Sequence, residues 1–450
     1  MRASATIAGV VIFAALAVGE ERRVLTLEQA VKIALERNPR LRGARAGRRA
    51  QADQARSVRG HLLPLVDVSM MYSDVNSPED VGVGELLGPF LPKPPSGQGG
   101  AAASSVPAEV PLRGLQAGLG TVTVAQPLLG LWHLSHDYAA ASDQADAAAD
   151  DLRGQEADLR EQVETGLLAL FEARALQGIA GASYAQLQEQ LRLTEARFKD
   201  GVLTRADVLR VQVAVANADQ QRIQAAVQED VARAALLTTL GLSPEAQDVD
   251  FAEPTELSSR PVPESLGEAE RFADVHRPEI AAARSGRSAA HHAAVSSRLK
   301  LLPEINASAM YLRIQGMPAG LPPDYFMLGV NLDWPIWEWG STYYASRAAA
   351  ERDDAAAAQI QGVQDAVALD VHRRLQEERA AAHAVAVAQD AITQAEEAFR
   401  VTEALVRAGS ATTTDLLDAQ SALTQARLNL VRAKYQDLRA RSALKRAMGA

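Results

Sequence analysis

The chain of 450 residues contains no cysteine. That excludes disulfides, thiolate metal ligands and a lipid-modified N-terminal cysteine. Aromatic residues make up only 4% of it, which argues against a bulky globular core. No apolar run reaches the length of about 20 residues that a membrane-spanning helix needs. Positive charge is not in excess: the formal net charge is −10, which argues against a nucleic-acid partner. No glycine-rich phosphate loop, nucleophile elbow or HExxH motif occurs, so neither an enzyme active site nor a cofactor is expected. Proline is missing from two long stretches, Leu128–Ser243 and everything after Pro335.

Alanine, the best helix former, fills much of the apolar share. At the N-terminus one arginine precedes an apolar run from Ile7 to Val18, with small-residue cleavage sites at Ala15–Ala17 and Ala17–Gly19. Residues 1–19 are expected to be a secretory signal peptide.

The rest of the chain is written twice. "HLLPLVDVSMMY" (His61–Tyr72) returns as "KLLPEINASAMY" (Lys300–Tyr311), and Pro39–Pro278, Pro64–Pro303 and Tyr72–Tyr311 are each 239 residues apart. Later pairs, Pro127–Pro335, Gly201–Gly409 and Gly241–Gly449, are 208 apart. The first half therefore carries an extra 31 residues, rich in proline and glycine, between Tyr72 and Pro127. They read as a loop. The expected organisation is a first repeat over 20–243 and a second over 264–450, joined by a linker over 244–263.

Each repeat has the same grammar. A helical stretch leads to a proline, and short segments of alternating polarity follow. In the first repeat Val66, Val68, Met70 and Tyr72 oppose Asp67 and Ser69; in the second, Phe326, Leu328, Val330, Leu332 and Trp334 oppose Gly329, Asn331 and Asp333. Period two predicts strands over 65–73, 117–127, 304–313 and 325–335, with the loop over 74–116. The proline-free stretches that follow show apolar spacings of three and four, as in Leu159, Val163, Leu167 and Leu170, which predict amphipathic helices capable of coiled-coil packing. Glycine turns at Gly201 and Gly409 break each into a hairpin. A helix of about 65 residues is roughly 100 Å long.

Strands of about ten residues with one apolar face suit the wall of a membrane β-barrel. A single amphipathic hairpin would fit a soluble domain as well. The tryptophans favour the membrane: Trp132, Trp334, Trp337 and Trp339 all sit at the strand-to-helix junctions, and indole prefers the membrane–water interface. Four strands cannot close a barrel in one chain. Two chains would pool eight and three would pool twelve.

The chain resembles the TolC-like outer membrane efflux protein family, the outer membrane factors. The matching phrases are "LTLEQAVKIALERNPRLRGARA" (Leu25–Ala46), "RFKDGVLTRADVLRVQ" (Arg197–Gln212) and "VRAGSATTTDLLDAQSALTQARLNLVRAKY" (Val406–Tyr435). The resemblance implies a mainly helical protomer with four strands. Three protomers would build a twelve-stranded outer-membrane barrel continued by a periplasmic helical tunnel. It implies an export duct in a tripartite efflux or type I secretion system, with a periplasmic adaptor and an inner-membrane pump of RND, ABC or MFS type as partners. The reading set against it is a secreted periplasmic coiled-coil or adaptor protein that never enters the outer membrane.

By the same resemblance the turns carrying Gly201, Val202 and Asp207, and Gly409 and Ser410, form the periplasmic tip where an adaptor docks. Asp415 and Asp418, three apart on one helix face, would line the tunnel constriction as a ring of carboxylates. Crowding in such a ring would raise some of their pKa values. Two plainer roles are available: the glycines as left-handed helix caps, and the aspartates as first-turn carboxylates facing a helix dipole. Arg210 occupies the place in the first repeat that Asp418 has in the second. Val406 and Ala411 stand where some relatives carry an aromatic and a basic residue that latch the closed state, which puts such a latch in doubt. His133, His136, His291 and His292 read as exposed helix residues, and no metal site is expected.

Overall fold

The computed structural model describes residues 23–74, 81–82, 109–110, 116–254, 263, 265–315 and 322–449. The expected signal peptide lies outside them, as do most of the loop over 74–116 and part of the linker over 244–263.

In chain order the first repeat runs β1 (Arg23–Leu25), α1 (Leu27–Arg37), α2 (Pro39–Gly60), β2 (Leu65–Asp74), β3 (Val81–Gly82), β4 (Glu109–Val110), β5 (Gln116–Pro127), α3 (Gly130–Lys199) and α4 (Arg205–Thr239). After β6 (Val249–Phe251) the second repeat runs α5 (Leu266–His276), α6 (Pro278–Leu299), β7 (Glu304–Gln315), β8 (Asp324–Asp333), α7 (Ser341–Arg407) and α8 (Thr413–Ala447). Two helices, two strands, a long helix and a shorter return helix thus occur twice. The long helices α3 and α7 have 70 and 67 residues, and both return helices have 35.

Local chemistry sets the boundaries. Thr26 starts α1 with a reciprocal capping box to Gln29. Asn38 precedes a proline, which disfavours helical backbone, and its ψ of 125° ends α1. The Asn38 Oδ1 then accepts from the Arg40 amide at 2.9 Å, while Pro39 takes the first position of α2, where no amide proton is needed.

Three details differ from the sequence reading. The fourth strand was expected over 325–335 but ends at Asp333. Pro335 has no amide to give the ladder, and the chain turns there toward α7. The linker over 244–263 contains β6, which pairs in parallel with β1 and buries Val249 and Phe251. Its prolines suggested a linker; the alternation of Val249 and Phe251 was the overlooked strand signal. Within the expected loop, Val81–Gly82 pairs with Glu109–Val110 as a short ladder.

The chain divides into two compact units. One comprises Gly47–Ala149 and Ala281–Gly362 and holds an antiparallel sheet of order β2-β5-β7-β8. Its rungs cross both repeats: Val66–Val124–Ala309–Leu328 and Val68–Val122–Tyr311–Phe326 lie on one face. The opposite face carries Asp67–Thr123 and Ser69–Thr121, the latter joined by a 2.5 Å hydroxyl contact. Met71, Leu119, Leu312, Ile314 and Tyr325 form an apolar cluster on that second face. Among the described residues, β2 and β8 each have one unpaired edge.

The other unit comprises the chain up to Ala46, Asp150–Ile280 and Val363 onward. Its main core packs Val163, Leu167, Leu168 and Leu170 of α3 against Leu236, Leu237 and Leu240 at the end of α4, with Ala30 and Ala34 of α1. Each fully buried leucine contributes about 1.5–3 kcal/mol. Ala269, Ala273, Ile280, Val367 and Val371 form a second core at the positions equivalent to Ala30, Ala34, Leu41, Leu159 and Val163.

Candidate functional site

The two hairpin tips are built alike. Gly201 and Gly409 both have φ of +76°, the left-handed conformation that glycine adopts without strain. That turn lets the Val202 amide donate back to the Arg197 carbonyl at 2.9 Å, and the Ser410 amide to that of Leu405 at 2.9 Å. A β-carbon at either glycine would meet nothing within 4 Å, so backbone conformation and not space demands the glycine.

Three residues beyond each glycine a threonine caps the return helix. Thr204 donates through its hydroxyl (2.6 Å) and its amide (3.0 Å) to Asp207 Oδ2, and its hydroxyl oxygen accepts from the Asp207 amide at 3.3 Å. Thr412 and Asp415 repeat the arrangement, with hydroxyl and amide donations of 2.7 and 2.8 Å. The Thr204 hydroxyl and amide hold the Asp207 carboxyl below its ordinary pKa. The Thr412 amide, then its hydroxyl, do the same for Asp415. Within one protomer the first-turn aspartates are therefore cap acceptors.

Asp418 is exposed and lies one turn beyond the Asp415 cap. Arg210, its counterpart in the first repeat, donates from Nη1 to Thr414 Oγ1 at 3.1 Å and lies 3.8 Å from Asp207. This bond ties the return helix of one repeat to that of the other. Sequence reading missed it because the partners are 204 residues apart. The 208-residue offset that equates Arg210 with Asp418 was the available signal. Val406 and Ala411 are both partly buried.

The sheet presents its apolar face to solvent. Val66, Val68, Met70, Tyr72, Phe326, Leu328, Val330 and Leu332 are all exposed, Met70 to 88% and Leu328 to 75%. Leaving eight such side chains in water forfeits about 1.5–3 kcal/mol each, so the face requires an apolar surrounding. Trp132, Trp334, Trp337 and Trp339 are exposed as well. Trp337 and Trp339 meet edge to face at 5.6 Å, and Trp339 has a positive φ of 53°. No described helix is long and apolar enough to cross a membrane.

The histidines correct the sequence reading. His133 is only 13% exposed, lies 3.6 Å from Glu304, and has its pKa lowered by burial first and then by the Lys300 charge. His136 and His292 are partly buried and paired, Nδ1 to Nδ1, at 2.9 Å. Only His291, bonded to Asp353 at 2.8 Å, is exposed. His136 and His292 are 156 residues apart, a separation that helix periodicity alone cannot bridge.

Comparison with known proteins places this architecture. The family described as outer membrane efflux protein matches residues 30–242 and 273–450. The outer membrane efflux protein BepC of Brucella suis is 28% identical over 73% of this chain and 72% of its own length. The alkaline protease secretion protein AprF of Pseudomonas aeruginosa is 24% identical over 72% of this chain and 67% of its own. The crystal structure of the outer membrane protein VceC of Vibrio cholerae superposes with a TM-score of 0.77 at 17% identity, covering 94% of this chain and 96% of that one.

Proposed function

The chain belongs to the outer membrane efflux protein family, and from that premise we propose that three copies pool their sheets into a twelve-stranded barrel. As a member of that family the protein is an export duct of the outer membrane. The proposal concerns how the duct is assembled and what it meets.

One observation carries it. The four-stranded sheet has a continuous apolar face exposed and an open edge on either side, at β2 and β8 among the described residues. Open edges do not survive in lipid, where no water can satisfy the free amides and carbonyls. Edge-to-edge pairing of β8 with β2 of the next copy removes both problems at once. Three copies give an even number of strands large enough to enclose a water-filled bore. The tryptophans at the strand-to-helix junctions then sit at the periplasmic boundary of the membrane.

On this reading Gly201, Val202, Asp207, Gly409 and Ser410 meet a periplasmic adaptor, which couples the duct to an inner-membrane pump. The named relatives support both uses of such a duct: BepC is an efflux protein, and AprF serves secretion of an alkaline protease. Asp418, with Asp415 beside it, lines the narrowing at the tips. The test is mass photometry on detergent-extracted protein. Three chains per particle are expected, and a monomeric particle with intact strands would overturn the barrel.

A further inference from the structure

Two helices leave a long apolar face uncovered in the protomer. On α4, Leu209, Val213, Ile223, Val227 and Val231 are all exposed, Val231 to 61%. At 3.6 residues per turn they fall within about 80° of arc. On α7, Leu369, Val387, Val401 and Leu405 are exposed, Leu369 to 69%, and they share one face in the same way. We propose that α4 of one copy packs along α7 of a second copy, so that the helical seam between chains is a dry apolar contact. The proposal rests on the three-copy assembly and names the surface that joins its helical part.

The occupant follows from the repeat. Within one chain, α8 of the second repeat lies against α3 of the first. The hydroxyls of Ser183 and Thr424 are 3.5 Å apart, Arg439 donates to Glu172 at 2.6 Å, and Arg446 donates to Asp158 at 2.6 Å. Residue numbers fall on α3 as they rise on α8, so the two helices run antiparallel. The 208-residue offset turns α3 into α7 and α8 into α4. In a ring where first and second repeats alternate, the α3–α8 seam inside a chain has its counterpart in α7 against α4 of the next copy.

The residues at that counterpart fit each other. The three polar pairs become Ala391–Ala216, Ala380–Val231 and Ala366–Thr238. All six are exposed in the protomer. No charge remains among them, so bringing the helices together desolvates no ion, and the alanines allow close approach. The stripes extend the same chemistry. Leu209, Ile223 and Val227 correspond to Leu417, Val431 and Tyr435 of α8, and these three are partly buried. The face that one repeat covers within the chain is left bare in the other. A second copy supplies the missing helix, with an apolar face of its own that is equally bare.

The chain has no cysteine, so paired substitutions report this seam directly. Ala216→Cys and Ala391→Cys are placed on separate full-length chains, co-expressed, extracted in detergent and oxidised. Ser183 and Thr424, whose places this pair takes, approach to 3.5 Å through atoms one bond beyond their β-carbons, within reach of a disulfide after small adjustment. A covalent two-chain band is expected on a non-reducing gel. Ala216→Cys with Ala384→Cys, seven residues or about 10 Å along α7, should give at least tenfold less, and either first variant alone none. In the unoxidised particle, maleimide should label Ala216→Cys at least tenfold more slowly than in denaturant. Mass photometry on the same sample separates two failures. Three-chain particles that lack the link, or that label rapidly, would leave the barrel standing, overturn the seam and free the stripe for a different partner such as an adaptor helix. Monomeric particles would overturn the assembly and the seam together.

Discussion

A β-carbon on Gly449 would lie 2.8 Å from the carbonyl oxygen of His276 and 2.7 Å from its carbonyl carbon. The first repeat contains the same contact: a β-carbon on Gly241 would lie 2.8 Å from the Arg37 carbonyl oxygen. Both glycines have positive φ, +82° and +73°. Two terminal turns of return helices thus close against the ends of α1 and α5, and backbone on both sides leaves no atom free to yield.

Alanine at Gly241 or Gly449 therefore meets two costs. The left-handed backbone costs about 1–2 kcal/mol with any β-carbon, and the contact forces the helix end away. Alanine at Gly201 meets only the first, since that site is open. Thermal unfolding followed by circular dichroism should show both terminal variants distinctly less stable than Gly201→Ala. Equal losses at all three would mean the close approach is absorbed.

The tip glycines should matter for a different reason. Gly201→Val and Gly409→Val strain a left-handed turn at positions where a β-carbon meets nothing within 4 Å in the protomer. The expected outcome is normal trimer formation and normal membrane insertion, with failed complementation of efflux. A fractionation experiment showing lost insertion would assign these turns to folding and remove them from the docking surface.

A partly buried charge cluster joins the last turn of α8 to α3 and the start of α6. Arg446, 9% exposed, donates to Asp158 at 2.6 Å and to Glu279 at 2.5 Å, while Arg277 donates to the Arg446 carbonyl at 3.1 Å. Burial pushes the Glu279 carboxyl up, but the Arg446 hydrogen bond, its own backbone amide and the Arg277 charge outweigh that and hold it below the ordinary value. A depressed folded pKa gives stability that is present above the unfolded pKa, about 4.3 for glutamate, and is lost as pH falls through the folded one. Arg446→Ala should cost about 1–3 kcal/mol, since Asp158 and Glu279 stay partly solvated when their partner is lost. It should also weaken the Glu279 contribution, because only the backbone amide and the Arg277 charge are then left to oppose burial. Glu161, raised by burial against the pull of Arg374 and Arg446, has the opposite sign, and loss of Arg446 removes one of the charges that oppose its rise. Unfolding scans from pH 3 to 6 check it: an unchanged acid slope in the variant would sink the assignment.

The parts legible in the sequence were those with short-range or repeated signals. Alternation at Val66–Tyr72 and Phe326–Leu332 marked the strands, and the 208-residue offset marked Gly201 with Gly409 before any turn was visible. The three-and-four spacing of Leu159, Val163, Leu167 and Leu170 picked out side chains that all prove buried. Pairings without a periodic signature stayed hidden. β1 and β6 are three residues each and more than two hundred apart. Arg210 finds Thr414, and His136 finds His292, only once two repeats fold together. The aspartates were ambiguous for a physical reason: a carboxylate at the third position of a helix satisfies the cap whether or not it also faces a lumen.

That ambiguity can be resolved by separating Asp415 from Asp418. Asp415 is committed to the Thr412 cap, so Asp415→Ala should lower local stability by breaking the capping box. Asp418 has no such duty and is exposed on the same helix face. Three copies would bring three Asp418 carboxylates toward the axis, where a narrow bore makes their field felt by passing ions. In planar bilayers Asp418→Asn should lower the preference for cations and weaken block by multivalent cations added on the periplasmic side, with thermal stability unchanged. Asp415→Asn should move stability more than selectivity. Glu189, exposed and paired with Arg192 at 2.6 Å, serves as the control. Its neutralisation on the long helix α3 should alter neither. If Asp418→Asn retained full cation preference and block, the carboxylate would face away from the bore and the constriction would have to be sought elsewhere on the return helices.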